Sequence, residues 1–280
     1  MKKLLMMAVW MMTAASASAQ SKPEAYFSFR ELPNMLKWCP APPDTVGAAF
    51  AYDIMQYMWG KELRQKDTER TAIAIRDAVY SLECIAQEYS EPFGLKISEE
   101  ETPEIWRLLR DAKATGENIS NFPKYYYKRI RPFMRFHEHT ATPQFEPDLR
   151  RNFSYPSGHT ILGWCSALLL SEINPERADT LLKRGYMYGE SRVIVGAHWQ
   201  SDVDAGRLAG SAAYARMHTS ERFLEQMQLA RMEFRIKKGL ATKEELKSFK
   251  KLVEKRDKAA AERAKAAEAA KAAQGTRTRR

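Results

Sequence analysis

The chain has 280 residues, with 45 Lys and Arg against 35 Asp and Glu and a formal net charge of +10. Its 3 cysteines (Cys39, Cys84, Cys165) exclude a disulfide framework; one bridge at most can form, leaving an odd thiol. The charge is local: residues 237–280 hold 15 Lys and Arg against 6 Asp and Glu, so the body is near neutral and no nucleic-acid partner is expected.

Residues 1–19 have the build of a signal peptide. Lys2 and Lys3 precede an apolar run over 4–12, and a small-residue stretch ends in Ala17-Ser18-Ala19. Cleavage after Ala19 and a periplasmic location are expected. No later segment reaches the ~18 consecutive apolar residues of a membrane span, so the mature chain is expected to hold no integral membrane segment. Residues 20–43, with Pro33, Pro40, Pro42 and Pro43, read as an extended arm. Beyond Asp44 the period is helical. Ala48, Ala51, Tyr52, Met55, Met58 and Trp59 predict one buried helix face, and a single helix is predicted over 68–88 from Ala72, Ile75, Ala78, Val79, Leu82 and Ile85. Pro103 marks the start of a helix through Ile105, Leu108, Leu109 and Ala112.

Pro143 and Pro147 place a loop between Pro132 and Ser154; helices follow at 159–172, 176–192, 200–218 and 223–236. Cys165 falls in an apolar run and reads as a core thiol. Residues 237–280 form a basic Ala/Lys-rich tail. Its stretch 259–273 favours helix but has no large apolar residue, so a solvated, fraying helix is expected, disordered over 275–280. Weak attachment to anionic envelope surfaces is one role for it. No strand-rich region or repeat is present, and the fold class expected is all-α, one helical domain over 44–236.

Three segments carry chemistry. Lys124 and Arg131 lie seven apart, on one face if the segment is helical; they offer a point charge and a planar fork to phosphate oxygens. Pro156-Ser157-Gly158-His159 opens a helix, where free N–H groups and the positive dipole end gather an anion. Gly158 lets the backbone come close, Ser157 adds a hydroxyl, and His159 is placed to protonate a leaving oxygen. His198 and Asp202, at i and i+4, put a carboxylate beside an imidazole and aim its other nitrogen outward as a nucleophile. Arg192 reaches the same anion if the helix breaks at Gly196.

Taken singly, each segment also fits an ordinary feature: a capped helix, a solvated basic face, a surface ion pair. Their ordered combination points to phosphoryl transfer, which needs positioning and charge stabilisation. Lys124, Arg131 and Arg192 supply that charge without a metal or other cofactor. Lys128 and Arg129 have no evident role. His137 and His139, flanking Glu138, read as residues of the site entrance rather than metal ligands, and His218 as a helix-closing charge.

These segments resemble the signature of the type-2 phosphatidic acid phosphatase superfamily, which includes vanadium haloperoxidases. SYPSGHT, EINPER, LKRGY and SRVIVGAHWQSDVDAGR resemble the bacterial class A non-specific acid phosphatases more narrowly, and the likeness spans residues 32–234. The resemblance implies an all-helical periplasmic domain of the acid phosphatase/haloperoxidase type that hydrolyses phosphomonoesters through a phosphohistidine, without metal. It assigns phosphate binding to Lys124, Arg131, Ser157, Gly158 and Arg192, acid catalysis to His159, nucleophilic attack to His198 and orientation to Asp202. Phosphotransferase activity to alcohols and a homo-oligomeric state are further expectations. The alternatives are a lipid-headgroup phosphatase, a vanadate-dependent haloperoxidase and a non-enzymatic anion-binding envelope protein. Phe153 stands where the family usually has Gly and Ala197 where an aromatic often precedes the nucleophile; both are expected to flank the pocket and bear on substrate preference.

Overall fold

The computed structural model describes residues 22–277, and every regular element among them is helical. In chain order these are α1 (Ala48–Lys66), α2 (Thr68–Arg76), α3 (Leu82–Phe93), α4 (Pro103–Tyr127), α5 (Pro132–Arg135), α6 (Glu146–Arg150), α7 (Gly158–Ile173), α8 (Ala178–Ile194), α9 (Gln200–Met217), α10 (Glu221–Lys237) and α11 (Lys243–Arg277). The expected all-α class holds. No helix of the described residues is long and apolar enough to cross a membrane.

The core is organised around α7. It is apolar on nearly every side, as a helix must be to lie inside a bundle, and α8, α9 and α4 pack against it. Leu169 and Leu170 of α7 join Tyr89, Phe93, Leu108, Tyr188 and Phe223 in the main cluster. Two glycines let the neighbours close on the start of α7. A Cβ on Gly189 of α8 would stand 2.9 Å from Thr160 Cγ2, and one on Gly206 of α9 would stand 2.9 Å from the Ser157 carbonyl oxygen. The start of α7, with the phosphate-type motif at 156–159, is thereby packed closely against α8 and α9. Cys39, Cys84 and Cys165 are buried free thiols.

The arm lies along the helices: Tyr26 N donates to Thr115 Oγ1 at 2.9 Å, and Leu32, Met35 and Cys39 are buried against Ile119 and Tyr155. The stripe predicted to be buried on α1 is solvent-facing instead. Ala48, Ala51, Tyr52, Met55, Met58 and Trp59 are exposed, while Phe50, Asp53, Tyr57 and Gly60 face inward. Both sets have helical spacing, so period alone does not choose between them. The choice is made by Asp53, which enters a buried ion pair, and by Gly60, where a Cβ would stand 2.8 Å from the Val193 carbonyl oxygen.

The single helix expected over 68–88 is two. Asp77 turns inward to Arg184 and to Ser191 Oγ (2.7 Å), ending α2, and Ser81 caps α3 through Cys84 N at 3.1 Å. The loop 132–154 contains the short helices α5 and α6. The tail is better anchored than composition implies. It continues as α11 through Arg277 and docks by ion pairs: Arg235–Glu245 (2.9 Å), Lys255–Glu225 (3.0 Å) and Arg256–Glu104. Residues 275–277 are therefore helical rather than disordered. The signal-peptide expectation for residues 1–19 lies outside the described residues, as do residues 278–280.

Candidate active site

Lys124, Arg131, Gly158, His159, Arg192 and His198 converge on one cleft of about 650 Å³. Each is delivered by an element end. Lys124 lies in the last turn of α4, Arg131 is the extended residue before α5, and Gly158 and His159 form the first turn of α7. Arg192 is in the last turn of α8, and His198 precedes α9.

His198 is 1% exposed and held from both sides. Its Nδ1 stands 3.2 Å from Asp202 Oδ2, and its Nε2 accepts from Arg131 Nη1 at 2.9 Å. Arg131 Nη1 can only donate, so Nε2 carries the lone pair and Nδ1 the hydrogen. Arg131 itself is fixed by carbonyls: Leu149, Asn152, Ala197 and Phe153 accept from it at 2.9–3.2 Å. Lys124 Nζ donates to the carbonyls of Pro156 (2.6 Å) and Phe153 (3.0 Å). Arg192, 1% exposed, keeps Nε and Nη1 buried without any partner among the described residues. Two unsatisfied N–H donors of a buried cation cost stability, and an anion in the cleft removes that cost.

Burial is the largest influence on Lys124, Arg131, Arg192, His159 and His198. It pushes Lys124 down to about 7, with the Arg131 charge adding to the effect. Burial followed by Arg131 holds His198 well below the usual histidine range, and burial followed by Arg192 does the same to His159. Both imidazoles are therefore neutral in the ligand-free cleft. His159 Nε2 donates to the Ala78 carbonyl at 3.0 Å, which leaves the Nδ1 lone pair as the position that takes up and gives back a proton. Tyr80 packs on this ring with centroids 4.8 Å apart.

The predicted residues meet, but in part by other routes than predicted. Lys124 and Arg131 do not share a helix face: α4 stops at Tyr127, Lys128 takes a left-handed turn (φ 48°), and the chain doubles back. His198 and Asp202 do not form a helical i,i+4 pair either. His198 lies outside α9, and Asp202 reaches back from its first turn to accept from Trp199 N at 2.9 Å, which brings its carboxylate under the imidazole. The break at Gly196 (φ 83°) occurs as expected and places Arg192 in the cleft. Ser157 is fully buried as the cap of α7, accepting from Thr160 N (3.3 Å) and Thr160 Oγ1 (2.9 Å), and Gly158 rather than Ser157 faces the cleft.

Phe153 and Ala197 contribute carbonyls to the two cations, and neither side chain lines the cleft. His137 and His139 do not line it; the mouth is made by Phe145, Asp148 and Leu149 on one side and Val79, Tyr80 and Glu117 on the other. His218 closes α9 with Nδ1 toward the Tyr214 carbonyl (2.9 Å) and Nε2 toward Glu172 (3.0 Å).

Arg129, left without a role by spacing alone, bridges Asp202 Oδ1 (2.6 Å) and Asp53 Oδ2 (2.6 Å). Asp53 also accepts from Ser201 N (2.8 Å) and Ser201 Oγ (2.6 Å). Ser154 donates to Asp202 Oδ2. Ser154 was legible, since it opens SYPSGHT. Asp53 lies 148 residues from Ser201 in the mostly apolar first half of α1, and only its burial reveals it.

An all-helical domain whose element ends bring three cations and two neutral histidines to one cleft has the make-up that phosphoryl transfer requires. Residues 112–223 match the model of the PAP2 superfamily. The chain is 43% identical over 216 residues to a non-specific acid phosphatase of Providencia stuartii, covering 76% of this chain and 86% of that one. It is 41% identical over 223 residues to a non-specific acid phosphatase of Salmonella typhimurium (79% and 88% covered) and 32% identical over 222 residues to an acid phosphatase of Zymomonas mobilis (79% and 82%). The chain belongs to the PAP2 superfamily, in the group that contains these acid phosphatases.

Proposed function

We propose that this acid phosphatase hydrolyses small phosphate monoesters through a phosphohistidine formed on His198. The observation that carries the reading is the unprotonated Nε2 of His198, which accepts from Arg131, in the same cleft as the two N–H groups of Arg192 that have no partner among the described residues. The phosphate oxygens take up Arg192, Lys124, Arg131 and the first-turn amides at Gly158. Nε2 of His198 then attacks phosphorus, and the P–O bond to the alcohol breaks. His159 Nδ1, protonated once the dianion has raised its affinity for a proton, gives that proton to the leaving oxygen. Water next attacks phosphorus while Nδ1 takes its proton; the P–N bond breaks and inorganic phosphate leaves. Asp202 stabilises the positive charge that the His198 ring carries while phosphorylated. An alcohol in place of water would give phosphotransfer.

The signal-peptide pattern of residues 1–19 supports export of this chain and a periplasmic location. The domain reading is a catalytic unit over 44–236 with the arm and the tail wrapped on it. Self-association is supported by the apolar stripe Tyr52, Met55, Met58 and Trp59 exposed on α1. The test is turnover of p-nitrophenyl phosphate by the purified protein. Activity is expected to survive EDTA and to vanish in His198→Ala; loss on chelation contradicts the reading.

A further inference from the structure

A second, smaller cavity of about 80 Å³ lies between the arm, α4, α10 and α11, and shares no lining residue with the catalytic cleft. Its walls carry Lys22, Arg107, Arg110, Arg222, Arg256 and Arg263. The carboxylates beside them are already engaged. Asp111 accepts from Arg110 (2.8 Å) and Arg222 (3.1 Å), Glu24 lies 3.7 Å from Arg222, and Glu225 pairs with Lys255 (3.0 Å). Arg256 turns to Glu104 and Asp257.

Two buried donors are left over. Tyr26 is only 8% exposed, yet its hydroxyl has no partner among the described residues, and Nε of Arg107 is buried with none among them. The Tyr26 ring cannot swing to find one. It stands edge-on to Phe223 at 5.2 Å, Arg222 covers its face at 4.1 Å, and its backbone N is tied to Thr115. The Arg107 pKa is lowered by burial and then by the Arg256 charge, the sign of a pocket short of negative charge.

We propose that this cavity binds a phosphate-class oxyanion, held by the Tyr26 hydroxyl, Arg107 Nε and Arg263, and that the bound ion clasps α11 to α4 and the arm. A tetrahedral oxyanion presents acceptors in several directions at once, which donors on separate elements require. A water needs about 10–15 Å³ of such space, so the cavity admits a small oxyanion. The ion is either free phosphate, the product released at the cleft, or the phosphate of a lipid headgroup.

Calorimetric titration of inorganic phosphate into the tail-bearing protein, alongside co-sedimentation with phosphatidylglycerol or phosphatidylcholine vesicles, tests the site. Two phosphates per chain are expected, with Arg192→Ala keeping only the cavity site. Tyr26→Phe, which retains the ring and hence the packing, is expected to weaken that site about tenfold. Arg107→Ala is expected to abolish it while p-nitrophenyl phosphate turnover is unchanged. Binding of phosphatidylglycerol vesicles alone, lost in Arg107→Ala, assigns the same site to the headgroup. A single phosphate site with no Arg107-dependent vesicle binding overturns the proposal, as does a second site that survives both substitutions.

Discussion

His198 attacks phosphorus only while its Nε2 lone pair is free, and His159 protonates an alcohol only while it is charged; the cleft sets the two requirements apart. Burial and then the neighbouring cations keep His198 neutral; the same cations attract the substrate, whose own charge then reprotonates His159. General acid catalysis contributes about 10²–10⁴ in rate. His159→Ala is therefore expected to lower kcat by that range for alkyl phosphates and by much less for p-nitrophenyl phosphate, whose leaving group needs no proton. Comparing kcat for the two ester types checks this. Lys124 adds a second pH dependence. With a pKa of about 7 it is charged below neutrality and neutral above, so KM is expected to rise as pH passes 7. Lys124→Met should show a raised KM that no longer steepens there.

At the scale of elements, the site depends on how α1, α4 and α9 are tied together. Arg129 links Asp53 of α1 to Asp202 of α9, and both carboxylates are fully buried. Removing one partner of a buried ion pair typically costs about 3–5 kcal/mol. Arg129→Ala leaves two such carboxylates uncompensated, so a loss of at least this size is expected in urea unfolding, together with a fall in kcat as Asp202 loses its aim. The same elements mark the limits of sequence reasoning. The residues of the cleft were legible because phosphate chemistry restricts residue type: two histidines, three cations and a helix start. Their routes into the cleft were not, because the turn at Lys128 and the back-reaching Asp202 depend on tertiary contacts that spacing does not encode. The reversal of α1 has the same origin, as two stripes of equal period compete and a buried ion pair decides between them.

Over the whole molecule, the acid range is also where one structural carboxylate favours the fold. Glu233 of α10 caps α4 through the backbone N–H groups of Glu104 and Ile105 (2.9–3.2 Å). Burial is the main cause that raises its pKa from 4.5 to about 7. The folded state thus binds more protons than the unfolded state between these values. Glu233 contributes its stability fully below pH 4.5 and loses it as pH rises through 7. Glu233→Gln is expected to flatten the decline of Tm over that window, measured by calorimetry from pH 4 to 8. The all-α class was legible from helical periods and the lack of strand signals. The docking of the tail was not, because the ion pairs Arg235–Glu245, Lys255–Glu225 and Arg256–Glu104 tie α11 to α10 and α4 through single residues whose partners spacing does not reveal.

The central claim, a covalent intermediate on His198, is tested most directly by rapid-quench mass spectrometry during turnover of p-nitrophenyl phosphate, with the quench held alkaline to preserve a phosphoramidate. The expected result is a phosphoryl group on the peptide bearing His198, accumulating in His159→Ala, where its hydrolysis lacks a base, and absent in His198→Ala. Turnover with no phosphorylated peptide in either active form, or with the label on another residue, would contradict the account.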